Sequence, residues 1–137
     1  MRLFLDANVL FTAGHNPEGR SAALVALAQR GLCSLYTSPH ALEEAQRNLH
    51  LKLPAGTGAL EGLLETITVG GEASSSLVKW ALEQGLPLKD APILAAAVGA
   101  SADLLVTGDR KHFGPLYGST LRGVEIVTPA EALARLL

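Results

Sequence analysis

The chain has 137 residues, of which 48% are hydrophobic, 4% aromatic and 18% charged, with a net charge of −2. That length suits one domain spanning residues 1–137 with a core built mostly of Leu, Ala and Val, and the dispersed charge argues against a disordered chain. The charge excludes a global basic field of the kind common in nucleic-acid binders, the single Cys33 excludes an internal disulfide and a multi-cysteine metal cluster, and no apolar run reaches the roughly 20 residues of a membrane span.

Residues 2–5 are a short apolar run and read as a buried strand. Residues 18–31 carry Leu24, Leu27 and Ala28 at helical spacing, and Gly31 is a fitting stop. Residues 32–37 (LCSLYT) read as a second strand. Ser38 followed by Pro39 is a helix-opening pair, and the helix is expected to run to about Leu51, with Leu42 and Leu49 facing the core. A Gly-punctuated, helix-prone segment spans 56–65, and the β-branched TITV at 66–69 reads as a strand. Residues 73–84 are helical and closed by Gly85. Residues 90–100 form a helix opened by Asp90, residues 103–107 a buried strand, residues 124–127 a last strand, and a helix runs from Pro129 to the end. Strands and helices alternate throughout. That pattern predicts an α/β fold, a parallel sheet of about five strands with helices on both faces. In such sheets ligands bind at the carboxyl ends of the strands.

The four aspartates stand at 6, 90, 103 and 109. Asp6 follows the first strand directly, inside FLDANVL, where apolar neighbours make a carboxylate costly unless it is paired or metal-bound. Asp109 follows the LLVT strand end with only Gly108 between. Asp90 opens the helix leading into that strand. Each alone fits a helix cap or a turn; together they fall where an open α/β sheet places its site. Asp103 precedes its strand, at the opposite edge, and reads as structural. Glu43 and Glu44 share a helix about 100° apart, so only one can face the sheet, and helical geometry alone does not choose. Asn8 is a cap or a partner of Asp6. The four histidines offer no metal triad; His112, three residues after Asp109, could approach the site, but an exposed histidine is the favoured reading.

Taken in order, FLDANVL, TSPHALEEAQRNL and DAPILAAAVGASADLLVTGDRKHFG resemble the PIN-domain ribonucleases, especially the small VapC-like toxins, over almost the whole chain. The resemblance implies a sheet order of 3-2-1-4-5 and an acidic quartet of Asp6, Glu44, Asp90 and Asp109, Glu44 being preferred because Leu49 lies five residues beyond it. It implies supporting roles for Asn8 and Thr107. It further implies a metal-dependent ribonuclease using magnesium or manganese, with RNA as substrate, a homodimeric assembly, and an antitoxin partner if the chain is the toxin of a toxin–antitoxin pair. The start of the chain does not read as a signal peptide, and a cytoplasmic location is expected.

The chemistry suits these residue types. Hydrolysing a phosphodiester places negative charge on a group already negative, and hard divalent ions relieve it while taking carboxylate oxygens as ligands. Clustered carboxylates repel one another without such ions. Setting the four acids aside changes the net charge from −2 to +2 (−2 + 4). Lys89, Arg110 and Lys111, which flank two of the acids, and Arg47, on the Glu44 helix, are then candidates to meet phosphates. Two alternatives stand beside this reading. A haloacid-dehalogenase-type phosphatase needs a second Asp two residues after the first, where this chain has Asn8. A non-catalytic PIN-fold scaffold or RNA-binding module has no need of all four acids.

Overall fold

The computed structural model describes residues 1–137. Its sheet grows around the LFL run of strand β1 (Arg2–Leu5), whose last three side chains are wholly buried. On one flank lies β2 (Ser34–Thr37), then β3 (Ile67–Val69); on the other lie β4 (Leu104–Val106) and β6 (Val124–Val127). These five are parallel, in the spatial sequence β3-β2-β1-β4-β6. Leu3 pairs with both Leu35 and Leu104, so β1 is the central strand. Counting the parallel strands alone, the order is the expected 3-2-1-4-5.

A sixth strand was not expected. β5 (Thr120–Leu121) pairs antiparallel with β6 through a two-residue turn at Arg122 and Gly123, both with positive φ (49° and 85°). Positive φ at both turn residues is the geometry whose twist matches paired strands, and Gly123 adopts it without steric cost. The hairpin ends the sheet on that side, and the three-residue β3 ends it on the other.

Helix α1 (Ala7–His15) was also not expected. The apolar run after Asp6 is its inner face, with Val9, Leu10, Ala13 and Gly14 buried. It packs against α2 (Arg20–Gln29), α3 (Pro39–Lys52) and α4 (Ala55–Leu63). In α3 the Ser38 hydroxyl accepts from the Ala41 N–H at 3.2 Å and Pro39 opens the first turn, as anticipated. The core line of α3 is Ala41, Ala45 and Leu49, whereas Leu42 is only half-buried. Small residues every fourth position let α1 approach α3 closely, so the bulkier Leu42 lies at the margin. Beyond β3, α5 (Ser75–Glu83) pairs with α6 (Ala91–Gly99). Helix α6 is apolar nearly all round and buried along Ile93–Ala97. A short helix α7 (Arg110–Phe113) follows β4, anchored by the wholly buried Phe113, and α8 (Pro129–Leu136) closes the chain.

The α1–α4 crossing depends on two glycines. A Cβ on Gly14 would stand 3.1 Å from the Gly56 carbonyl oxygen and 3.1 Å from Leu49, a backbone group and a core side chain with no room to move. Gly14→Val is therefore expected to destabilise the fold by about 1–3 kcal/mol through overpacking. Gly58→Ala, on the open side of α4 with nothing near its Cβ, is expected to stabilise by about 0.5–1 kcal/mol. Urea unfolding midpoints of the two variants check both signs.

Candidate functional site

The carboxyl ends of β1 and β4 are adjacent, and the chain turns sharply at each. Asp6 ends β1. Its backbone N–H still bonds to the Val106 carbonyl at 3.0 Å, so its position is fixed by the sheet. Its side chain is nearly sealed from solvent at 3% exposure. One oxygen, Oδ1, accepts from the Ala7 N–H at 2.6 Å, and the other, Oδ2, accepts from the Thr107 hydroxyl at 2.7 Å and the Asn8 amide at 3.1 Å. Asn8 also donates to the Thr107 hydroxyl at 3.3 Å, while its Oδ1 accepts from the Gly108 N–H at 2.7 Å. The Thr107 hydroxyl takes a further bond from the Asp109 N–H at 3.1 Å. Thr107 and Asn8 thus lock the two strand ends together around one buried carboxylate.

Asp109 caps α7, accepting from the His112 N–H at 3.1 Å. Asp90 stands at the N-cap of α6, yet its side chain makes no capping bond, and its Oδ2 is buried with no hydrogen-bond partner. The cap reading is therefore not the role its carboxylate plays. Glu44 lines the same cleft from α3, while Glu43 faces solvent. The choice follows from the core line Ala41–Ala45–Leu49, which turns Glu44, Asn48 and Lys52 toward the cleft. The cleft has a volume of about 310 Å³ and brings together Asp6, Glu44, Asp90 and Asp109, with Lys89 at its wall. Arg110 lines a neighbouring cavity of about 500 Å³ that shares Asn8 with the first. Arg47 and Lys111 are exposed and line neither. Asp103 lies at the other edge of the sheet, accepting from the Arg2 N–H at 2.7 Å.

One expectation is corrected. His112 is not simply exposed: its Nδ1 lies 2.9 Å from Asp109 Oδ2 and 3.0 Å from Asp90 Oδ2. Its backbone N–H and its ring both meet the Asp109 carboxylate that caps the helix. The Asp-x-x-His spacing was the available signal, since a capping Asp and the residue three further on meet across the first helical turn. Lys52 and Asn48 were also missed, although Glu44, Asn48 and Lys52 recur every fourth residue.

The electrostatics follow from burial and like charge. Burial pushes the Asp6 carboxyl up to about 6; its bonds from Thr107 and Ala7 oppose this, and the Asp90 and Glu44 charges reinforce it. Burial also raises Asp90, opposed by His112 and Lys89 and reinforced by Asp109 and Glu44. For Asp109, burial is outweighed by the His112 N–H, its ring and Lys89, and the carboxyl is held below its ordinary value. A buried carboxylate oxygen that receives no hydrogen bond, beside further acids, is a place a cation would complete, and the chemistry of four carboxylate donors fits magnesium or manganese.

The sequence model of the PIN domain matches residues 2–111, and the chain belongs to the PIN domain family. The phosphatase alternative falls with that assignment. A search of curated proteins finds no match. Among solved structures, the chain is similar to PAE2754 of Pyrobaculum aerophilum, with a TM-score of 0.70 and 19% identity over 99% of this chain and 95% of that one. It is similar to VapBC2 from Rickettsia felis, solved bound to a DNA fragment from its promoter, with a TM-score of 0.67 and 18% identity over 93% and 98% of the two chains. It is also similar to VapC20 of Mycobacterium tuberculosis, a toxin cleaving the sarcin-ricin loop, with a TM-score of 0.57 and 16% identity over 80% and 91%. At such identities the likeness is one of fold.

The raised Asp6 pKa has a consequence for stability. A carboxyl that holds its proton more tightly when folded contributes stability below about pH 4, and that contribution is lost as pH rises through about 6. A rise from 3.8 to about 6 corresponds to about 3 kcal/mol. In chelator, wild type is expected to lose about that much stability relative to Asp6→Asn between pH 4 and pH 7.5. Urea unfolding of both proteins across that range measures it; a difference that stays flat with pH refutes it.

Proposed function

We propose that this chain is a metal-dependent endoribonuclease, a single domain over residues 1–137, and the toxin of a toxin–antitoxin pair acting in the cytoplasm as a homodimer. The observation that carries the nuclease reading is the convergence of four carboxylates from four elements on one cleft, with the Asp90 oxygen buried and receiving no hydrogen bond. The similarity to VapBC2 and VapC20 supports the toxin reading and the expectation of an antitoxin partner. No helix is long and apolar enough to cross a membrane.

Asp6, Glu44, Asp90 and Asp109 would hold magnesium or manganese ions, which when bound lower the pKa of a ligated water and neutralise charge developing on the phosphate. Asp6 is oriented for this by Thr107 and Asn8, so ligand geometry is set before substrate arrives. Lys89, at the cleft wall, would meet a non-bridging phosphate oxygen. Arg110, along the adjoining cavity, would meet the backbone further on, with Lys111 and Arg47 outside both. A scaffold reading leaves the costly burial of Asp6 and Asp90 without a purpose.

Cleavage of a labelled RNA panel with magnesium, manganese or chelator tests this. Asp6→Asn, Glu44→Gln, Asp90→Asn and Asp109→Asn are each expected to lose about 10²-fold or more, since even partners outside the ligand shell cost 10–100-fold. Glu43→Gln and Asp103→Asn are expected to cleave like wild type. Cleavage that survives chelator, or an Asp103→Asn enzyme as damaged as Asp6→Asn, sinks the assignment.

RNA affinity gives a separate check. Lys89→Ala, placed in an Asp6→Asn background so that the RNA stays intact, is expected to weaken binding. It should also shallow the slope of log affinity against log salt by about 0.7, the value for one lost single-strand phosphate contact. Filter binding from low to moderate salt reads both quantities; an unchanged slope removes Lys89 from the substrate path.

A further inference from the structure

His112 stands against two of the acids and has no part in the quartet. Its Nδ1 stands 2.9 Å from Asp109 Oδ2 and 3.0 Å from Asp90 Oδ2. A single ring N–H can point at only one of them. The aligned bond runs to Asp109, and the Asp90 oxygen is left buried without a donor. The three candidate ligand atoms lie within 4.8 Å of one another. Ligands at right angles around an ion with bonds of about 2.1 Å stand about 3.0 Å apart. The two nitrogen–oxygen separations therefore already have the length of octahedral edges.

The ring is also held in place. Asp109 fixes the first turn of α7 by accepting from the His112 N–H at 3.1 Å, and Phe113 beside it is wholly buried. The imidazole is thus presented to both carboxylates by the backbone rather than by a long flexible side chain.

We propose that His112, in the tautomer that carries its ring proton on Nε2 and leaves the Nδ1 lone pair free, is a ligand through Nδ1 of the ion held by Asp90 and Asp109, and that this nitrogen biases the site toward manganese over magnesium. The inference deepens the nuclease reading and rests on it. Magnesium is hard and takes oxygen donors, whereas first-row divalent ions accept imidazole nitrogen readily. Four carboxylates alone do not separate the two ions by donor type. A fifth donor of a different element does.

The test uses the full chain with manganese or magnesium chloride alone. Electron spin-echo modulation of bound Mn²⁺ is expected to show coupling to one histidine nitrogen in wild type and none in His112→Asn, which retains a hydrogen-bond donor for Asp109. Manganese affinity by calorimetry is expected to fall about tenfold or more in His112→Asn, while magnesium affinity, measured by competition, stays within about twofold. Thermal unfolding of the metal-free variant establishes that it is folded, and Asp109→Asn serves as the reference for loss of an accepted ligand. Manganese bound without nitrogen coupling, or equal manganese affinity in His112→Asn, overturns the ligand role and leaves the carboxylate site standing. If wild type binds neither ion, the nuclease reading falls and this inference with it.

Discussion

Everything at this site depends on one carboxylate that the fold holds out of water. Asp6 continues the central strand, so it cannot move without unpairing β1 from β4, and it is too deeply set for solvent to screen its charge. The protein compensates with short, directed bonds: the Ala7 amide on one oxygen, the Thr107 hydroxyl and the Asn8 amide on the other. Those bonds soften the cost of burial without removing it, since the carboxyl is still pushed up to about 6. The remaining imbalance is what a cation would relieve. Thr107 and Asn8 have two roles at once: they join adjacent strand ends and they fix the orientation of the Asp6 carboxylate.

The same economy explains why the surrounding acids come from separate elements. A parallel sheet delivers all its strand ends to one edge, and each crossover begins there. Asp6 and Asp109 come from neighbouring strand ends, Asp90 from the start of α6, and Glu44 from the second turn of α3. Like charges at such range repel, so no local segment would gather them by itself. The gathering is enforced by core packing elsewhere, in the buried Leu and Val of the strands and the Ala line of α3.

This division of labour determines how far the sequence could be read. The strand cores are short apolar runs, with Asp6 directly after one and Asp109 three residues after the other, so the pattern put both acids at strand ends on one edge of the sheet. The Glu43 and Glu44 alternatives are 100° apart on a helix whose inner face is made of alanines, and alanine patterns weakly; only the packed structure shows that Ala41, Ala45 and Leu49 form the buried line. Helix α1 was hidden because its apolar face continues the apolar run of β1, and Asp6 interrupts the two without a turn signal. His112 was open to two readings because α7 is a single turn, too short for periodicity to show which way its side chains face. The β5–β6 hairpin turned on an Arg-Gly pair, whose first residue takes a conformation rare outside Gly, Asn and Asp.

The short strands at both margins of the sheet have a consequence for assembly. An exposed edge is a template that another chain can extend by backbone hydrogen bonding. Here that template is two residues long at β5 and three at β3. Neither length supports a stable added strand, and the hairpin turn folds one margin back on itself. The sheet therefore offers a second chain little edge to extend, and what surrounds its margins is helix faces and the clefts between them. Recognition is written in side chains, which can be changed one at a time while the sheet that positions the acids is left as it is.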